Sequence, residues 1–363
     1  MTRQSVVGHA PVVAQLERSA RDGTLTHATL LVGPDGVGKT TLAEAVAELL
    51  LDGGSWPGGL QAHPDHWLED SDAERISIER VRAGGEDGPT LQDAMTLRPY
   101  AGGRRVAVIG RADRLTEQAA NCVLKTLEEP PPQTHIFLCA AHPERLPATV
   151  TSRCQTFGCA AVPAAEVSQW LVARHAVDPA LAGLAAHLCG GRPGRALNLA
   201  TQPGALAAEL DAIDAFLAIA GSGRGGALAA AEQLAPIATA DGRERAISQL
   251  TAWTGFIRDV ACFAAGAPEL GVWDAYRPAA EQWAEALPRE RITGILARCV
   301  ESADQLAQYA VPRLCYEALF LDTFTTTPAP PRVSPVLRDP ALASPAPTES
   351  QTPRPARPRR RRA

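Results

Sequence analysis

Residues 33–41 read GPDGVGKTT and contain the spacing G-x-x-x-x-G-K-T of a phosphate-binding loop. The backbone amides of such a loop point at phosphate oxygens, and the amino terminus of the following helix adds its partial positive charge. In this pattern Lys39 reaches the β- and γ-phosphates, and the Thr40 hydroxyl holds a magnesium ion. The candidate nucleotide-binding residues are Gly33, Gly36, Gly38, Lys39, Thr40 and Thr41.

The alternative is a chance match, which about one chain in a hundred of this length would contain at ordinary residue frequencies. Here the loop follows a short apolar run and opens an amphipathic stretch, which is the strand-loop-helix context of a true phosphate site. The sequence therefore predicts that the chain binds a nucleotide.

Nucleotide hydrolysis requires acidic residues that this chain lacks at the expected place. A second strand should end in a carboxylate that holds magnesium, followed by one that polarises the attacking water. The best candidate strand, in RRVAVIGRADRL, is followed by Gly110 and Arg111, a neutral residue and a cation. Asp113 lies further along, beyond the expected end of the strand. We therefore predict ATP binding without hydrolysis.

The elements around the loop follow an α/β pattern. Short apolar runs bounded by turn signals predict strands over Ala28–Val32, Val106–Gly110 and His135–Cys139. Helices are predicted over Thr40–Leu51 and Glu117–Leu127. Strands that are apolar on both faces and alternate with helices indicate a doubly wound parallel sheet.

Composition divides the chain into four segments. Residues 1–162 are predicted to form the α/β domain. Residues 163–205 contain three short helical stretches closed by Gly or Pro. Residues 206–325 hold longer alanine-rich stretches with apolar positions every three or four residues, which predicts a separate all-α domain. Residues 326–363 carry a proline every few positions and few large apolar side chains, which predicts a disordered tail.

Overall composition is that of a globular protein, with 45% hydrophobic and 21% charged residues. No apolar run is long enough for a bilayer, and the first residues are too polar for a signal peptide, so a cytoplasmic location is expected. The total formal charge is −5; residues 326–363 carry +6, which leaves −11 on the rest. An acidic body argues against a large nucleic-acid-binding face. The terminal RPRRRR could contact DNA phosphates, but a solvated tail is the preferred interpretation.

The segment GRADRLTEQAANCVLKTLEEPPPQTHIFLCAAHPERLPATVTSRCQ, residues 110–155, resembles the core of bacterial clamp-loader subunits of the AAA+ superfamily. AANCVLKTLEEPP and the triplet Ser152-Arg153-Cys154 are its most specific features. VVGH, HPDH, ISIERVR and GGRPGRAL occur in the family's order, so the resemblance covers residues 5–200. It implies an AAA+ α/β domain with a small helical lid, followed by an all-α collar domain used for oligomerisation.

The family contains a motor subunit, gamma/tau, which hydrolyses ATP, and a stator, delta-prime, whose catalytic positions are usually degraded. This chain departs from the motor at the acidic pair, at the polar sensor-one position and at the sensor-two arginine. The resemblance therefore favours the stator; the alternatives are a motor with an unusual second strand, or a P-loop protein outside replication. The residues at these positions are Gly110 and Arg111, Ala140 and Ala141, and Gly194. Arg195, one position further on, could substitute for the sensor-two arginine.

Arg153 is the candidate catalytic residue that the resemblance implies. In the family this arginine enters the ATP site of the neighbouring subunit, where a guanidinium stabilises charge on the transferring phosphate. The alternative is a local ion pair with Glu144 or Glu128. The implied partners are gamma/tau and delta subunits, with the sliding clamp and primer–template DNA reached through the complex, and no membrane.

A further departure concerns zinc. The family usually carries a four-cysteine zinc module between the phosphate-loop helix and the HPD strand, whereas the interval LLDGGSWPGGLQAHPDH contains no cysteine. None of the eight cysteines forms a C-x-x-C pair, and buried thiols explain them best. His63 and His66 lack the further ligands that a zinc site needs. We therefore predict no zinc.

Overall fold

The structure is a computed structural model. It describes residues 6–51, 56–71, 73, 75–84, 89–100, 103–236, 239–271, 273, 276–307, 310–326 and 330–331. The predicted disordered tail, residues 326–363, lies outside these ranges except for three positions. None of the described helices combines the length and the apolar character needed to cross a membrane.

Five parallel strands form one sheet in the order β2-β3-β4-β1-β5. The three central strands are the ones that the apolar runs predicted, with bounds within one residue of the predictions. The two edge strands have few buried side chains, so they lack a continuous apolar run, and the apolar pattern alone does not predict them. The strands are β1 Ala28–Val32, β2 His66–Glu69, β3 Arg105–Ile109, β4 Thr134–Ala140 and β5 Gln155–Gly158.

Helices cover both faces of this sheet. Successive residues of a strand point to opposite faces. In β3, Val106 and Val108 accordingly belong to one buried cluster, and Ala107 and Ile109 belong to another. The first cluster includes α2 and the second includes α3 and α4. The helices of this region are α1 Ala10–Arg21, α2 Lys39–Leu50, α3 Leu91–Thr96, α4 Glu117–Glu128 and α5 Ala148–Thr151.

After β5 the described chain is helical. Three short helices come first, as predicted, and longer helices follow. The apolar run over 288–324 contains two helices, because Pro312 lacks the N–H that a helix interior needs and starts a new helix instead. The helices are α6 Ala164–His175, α7 Pro179–Leu188, α8 Pro193–Thr201, α9 Ala205–Ala218, α10 Gly223–Leu234, α11 Ala240–Ala264, α12 Arg277–Ala286, α13 Arg289–Ala307 and α14 Pro312–Thr325.

Aromatic side chains hold the longer helices together. Phe216 of α9 stacks on Trp253 of α11, with ring centroids 5.1 Å apart. Trp283 of α12 and Phe324 of α14 lie 6.0 and 5.0 Å from Phe216. Each of these side chains is almost completely buried, and one fully buried aromatic contributes about 2–3 kcal/mol of transfer free energy. The predicted doubly wound parallel α/β sheet, followed by a helical region, is confirmed.

The HPD segment has a structural role that its sequence did not reveal. Asp65 is completely buried, and its Oδ1 lies 3.1 Å from Nη2 of Arg105 at the start of β3. The same carboxylate accepts the backbone N–H of Tyr100 at 2.8 and 2.9 Å. Arg105 also donates to the carbonyl of Ala94, so the pair fixes the loop before β3. A buried ion pair of this kind leaves a costly charge behind when one partner is removed.

We expect Asp65→Asn to lower the free energy of unfolding by about 3–5 kcal/mol, because Arg105 would stay buried without a counter-charge. Urea denaturation followed by circular dichroism measures the change. Asp304→Asn is the control, because Asp304 is exposed on α13, and its effect should stay within about 0.5 kcal/mol. Equal stabilities for the two variants would contradict a structural role for the HPD carboxylate.

Candidate nucleotide-binding site

The phosphate-binding loop lies between β1 and α2, and glycine is required at three of its positions. Gly36 and Gly38 have φ angles of 75° and 105°, in the left-handed region that side chains rarely adopt. Gly33 packs against the residue that follows β5, and a Cβ on it would lie 2.1 Å from the carbonyl oxygen of Cys159. The helix then begins at Lys39, so its amino terminus faces the loop. The loop therefore has the backbone geometry that the motif predicts.

Lys39 is buried and its ammonium group is held by the loop itself. Its Nζ donates to the carbonyl oxygens of Gly33 at 2.7 Å and Pro34 at 2.9 Å. The Asp35 carboxylate is 3.6 Å from the same nitrogen. A phosphate group bound in the loop would compete with these carbonyl oxygens for the ammonium group of Lys39. The phosphate is the stronger acceptor, because a charge-assisted hydrogen bond is about twice as strong as a neutral one.

A cavity of about 670 Å³ opens above this loop, a volume in the range of small-molecule sites. Lys39, Thr40 and Thr41 form its phosphate end. Its other walls come from the amino-terminal segment, from the ends of β2 and β3, and from the first helices after β5. These wall residues include Val7, Asp70, Gly110, Arg111, Trp170 and Leu197.

Two contacts from distant segments hold the loop in place. The Nε2 of His9, in the VVGH segment, lies 3.0 Å from the carbonyl oxygen of Val37. The backbone N–H of Gly194, in the first turn of α8, donates to the carbonyl oxygen of Gly36 at 3.0 Å. A Cβ on Gly194 would lie 3.3 Å from that oxygen, so the close approach favours glycine. The family motifs VVGH and GGRPGRAL are thus brought together at the loop.

The end of β3 carries no carboxylate of its own. Gly110 and Arg111 line the cavity at this point. Asp113 lies in a short 3-10 turn, where its Oδ2 accepts the backbone N–H groups of Ala141 and His142 at 3.2 and 3.0 Å. This carboxylate therefore orients the end of β4 and does not line the cavity.

A carboxylate does line the cavity where β2 and β3 end, at a position that the sequence did not indicate. Asp70 follows β2 directly and lies beside Gly110 and Thr40. The signal that could have identified it is the strand register, since Glu69 pairs with Ile109 and the two strands end together. Register between distant segments cannot be read from apolar runs, so this residue was missed.

Arg195 does not reach the phosphate end of the site. Its guanidinium donates to the carboxylate of Glu209 in α9 and to the backbone carbonyl of Leu188. Glu209 is only 4% exposed, so the pair is buried between α8 and α9. The possible sensor-two role of Arg195 has no geometric support, because its charge is directed at a buried carboxylate away from the cavity.

Arg153 is exposed and lies outside the nucleotide cavity. Its Nη2 is 2.7 Å from Oε1 of Glu128 at the end of α4, so the local ion pair that the sequence left open is present. Its Nη1 donates to the carbonyl oxygen of Thr149 at 2.9 Å. The two side chains are 38% and 44% exposed, and ion pairs at such exposure contribute about 0–1 kcal/mol.

Histidines and cysteines show no metal-binding arrangement in the described part of the chain. No group of three or more His, Cys, Asp or Glu side chains there could hold a metal ion. Nδ1 of His63 accepts the backbone N–H of Asp65, and burial lowers the pKa of His66 to about 4. All eight cysteines are free thiols, and burial raises the pKa of Cys299 to about 12.

Comparison with known proteins relates residues 8–162 to a family model described as DNA polymerase III, delta subunit. The DNA polymerase III subunit delta' of Haemophilus influenzae is 34% identical over 203 residues, which are 52% of this chain and 59% of that protein. The subunit tau/gamma of the same organism is 33% identical over 178 residues, 47% of this chain and 25% of that protein. The chain thus matches between a quarter and three fifths of these relatives.

Among solved structures, a DNA polymerase III gamma subunit-related protein of Thermotoga maritima aligns with a TM-score of 0.40 and 16% identity. That alignment covers 85% of this chain and 97% of the other.

We expect Arg195→Ala to lower the free energy of unfolding by about 3–5 kcal/mol, because Glu209 would remain buried without its partner. The double variant Arg195→Met/Glu209→Leu should recover most of this loss, since apolar residues of similar volume replace buried ion pairs at little cost. Thermal and urea unfolding of both variants test this. An Arg195→Ala variant as stable as the parent would contradict the buried pair and leave the arginine available for the cavity.

Proposed function

We propose that this chain is a clamp-loader stator subunit of the delta-prime type, because residues 8–162 match the family model described as DNA polymerase III, delta subunit, and a delta' subunit is 34% identical over 203 residues. It binds ATP without hydrolysing it and presents Arg153 to the ATP site of a neighbouring subunit. The observation that carries this proposal is the position after β3, where a cation, Arg111, faces the cavity in place of the residue that would activate water.

ATP binding is supported by the cavity above the phosphate loop. Lys39 and Thr40 stand at its phosphate end, and the left-handed glycines let the loop amides point inward. Val7, Trp170 and Leu197 provide apolar wall for a base. Bound ATP would place its negatively charged phosphates at the loop amides and at the amino terminus of α2, and these groups would bind and orient them.

The absence of turnover follows from the residues that would have to act on water. Arg111 is always protonated and cannot accept a proton. Ala140 and Ala141, at the end of β4, offer no side-chain hydrogen bond. A general base must lie within hydrogen-bond reach of the proton it removes. Among the described residues, the carboxylate at the ends of β2 and β3 is Asp70, which stands beside Gly110, whereas the next position is the cation Arg111.

The stator assignment rests on these residues and not on overall similarity. The delta' and tau/gamma subunits of H. influenzae match this chain at 34% and 33% identity, so identity does not separate the two types. Degraded catalytic positions are what the stator type is expected to have. A motor with an unusual second strand is the second candidate, and the retained Lys39 and Thr40 favour it.

The role of Arg153 is supported by its exposure and by its weak local partner. An exposed ion pair contributes about 0–1 kcal/mol, so leaving Glu128 is inexpensive. Arginine binds phosphate oxygens through two parallel N–H groups, which makes it suited to a site on another subunit.

The helical region provides the collar in this proposal, with domain bounds at residues 1–162, 163–205 and 206–325. Leu228, Val300, Val311 and Leu314 are exposed apolar side chains on or beside its helices. Exposed apolar side chains of this kind are usual at protein–protein contacts when they cluster. The partners would be gamma/tau and delta subunits, and through them the sliding clamp and primer–template DNA.

The purified chain should bind ATP and show no turnover above the rate without protein. Lys39→Ala should weaken binding about tenfold or more, since a hydrogen bond to a charged group contributes about 1.5–3 kcal/mol. Arg21→Ala is the control, because Arg21 is an exposed arginine paired with Glu17. Equilibrium binding and phosphate release measure the two properties. Sustained hydrolysis by the isolated chain would contradict the stator and favour the motor.

Arg153→Ala should slow ATP hydrolysis at the adjacent site of a reconstituted assembly by about 10³-fold or more, as loss of an arginine finger does. The assembly would contain gamma/tau and delta partners, with the other motor sites disabled by substitution of their phosphate-loop lysines. The measured hydrolysis rate then comes only from the site next to Arg153. Arg21→Ala and Glu128→Gln are the controls and should leave the rate within about twofold. An unchanged rate with Arg153→Ala would remove the finger role.

A further inference from the structure

We propose that Asp70 replaces the missing carboxylate of β3 as the group that holds the magnesium ion of a bound nucleotide. This inference rests on the proposed ATP binding. It assigns a metal-holding role to a residue that follows a different strand from the one that normally carries it.

The strand register brings Asp70 to the right place. β2 and β3 pair in parallel from His66 and Val106 to Glu69 and Ile109. The N–H of Gly110 donates to the carbonyl oxygen of Glu69 at 2.8 Å, so the pairing extends to the last residue of each strand. Asp70 and Gly110 therefore lie side by side at the carboxyl ends of β2 and β3, which face the phosphate loop.

The Asp70 side chain occupies the space that a side chain on residue 110 would need. A Cβ built on Gly110 would lie 2.0 Å from Oδ1 of Asp70 and 2.7 Å from its Cγ. The same Cβ would lie 3.1 Å from Oγ1 of Thr40. A carboxylate on residue 110 and the observed carboxylate of Asp70 thus exclude each other, and either one stands next to the Thr40 hydroxyl.

The donor set fits a magnesium ion bound together with phosphate. Mg²⁺ takes oxygen ligands, and in nucleotide sites one or two carboxylates with substrate phosphates and water suffice. Thr40 provides a hydroxyl and Asp70 an exposed carboxylate, both lining the cavity. Bound Mg²⁺ would supply charge neutralisation for the β- and γ-phosphates.

The same geometry does not restore hydrolysis. In this family's motors two acidic residues follow the second strand, one for the metal and one for water. Asp70 replaces the first, while Arg111 still occupies the second position. A chain with this arrangement holds metal and nucleotide together and keeps the nucleotide intact.

The test measures metal-dependent nucleotide binding and involves no turnover. The dissociation constant of a methylanthraniloyl-labelled ATP is determined with EDTA and across a MgCl₂ titration. The parent chain should bind more tightly with Mg²⁺. Asp70→Asn should raise the Mg²⁺ concentration at half effect by about 10–100-fold, the range found when a group that supports a metal site is lost. Its affinity in EDTA should not fall, because a negative charge near the phosphates has been removed.

Two further variants separate a specific role from a general disturbance. Asp113→Asn removes a carboxylate at the same sheet edge that is bonded to backbone amides, and it should leave the Mg²⁺ response unchanged. The double variant Asp70→Ala/Gly110→Asp moves the carboxylate to the end of β3. It should restore the Mg²⁺-dependent increase in ATP affinity that Asp70→Ala alone loses. Unfolding curves establish that each variant is folded.

Three results would overturn the inference. They are an Asp70→Asn response equal to that of the parent, a double variant no better than Asp70→Ala, and equal ATP affinity of the parent with Mg²⁺ and with EDTA. The last would leave ATP binding itself intact. If the parent bound no ATP at all, the proposed nucleotide binding would fail too, whereas the role of Arg153 is tested separately in the assembly.

Discussion

Parallel pairing of β2, β3 and β4 decides which residues can meet the phosphate loop. Glu69 pairs with Ile109 and Ile109 with Leu138, so the chain leaves all three strands at one edge of the sheet. The loop after β1 rises at the same edge. Residues far apart in the sequence therefore line one cavity. This arrangement is what allows Asp70, after β2, to be proposed for a role that a residue after β3 would otherwise have.

The helical region after β5 contacts this loop through α8. The N–H of Gly194 donates to the carbonyl oxygen of Gly36, and a Cβ on Gly194 would lie 3.3 Å from that oxygen, a tight contact that favours glycine. Arg195 then ties α8 to α9 through the buried carboxylate of Glu209. The segment that contains Gly194 and Arg195 therefore joins the phosphate loop to the longer helices.

The parts that the sequence predicted are those with a local signal. The phosphate loop has fixed spacing, and β1, β3 and β4 are continuous apolar runs because both of their faces are buried. The edge strands β2 and β5 have no such run. The partner of Arg195, the burial of Asp65 and the position of Asp70 depend on pairing between distant segments, and no spacing in one stretch encodes them. The chain's departures from the motor were readable because a family pattern assigned a role to each position.

The ion pair between Arg153 and Glu128 is energetically compatible with the proposed role of Arg153 in a neighbouring subunit. An exposed pair is worth at most about 1 kcal/mol, a factor of about five in an equilibrium. Charge stabilisation at a phosphoryl-transfer site contributes a factor of about 10³–10⁵ in rate. Under the proposed role, the Arg153 side chain has to leave Glu128 when the neighbouring subunit binds. The exposure of this pair makes that change inexpensive, so the local partner and the proposed role do not exclude each other.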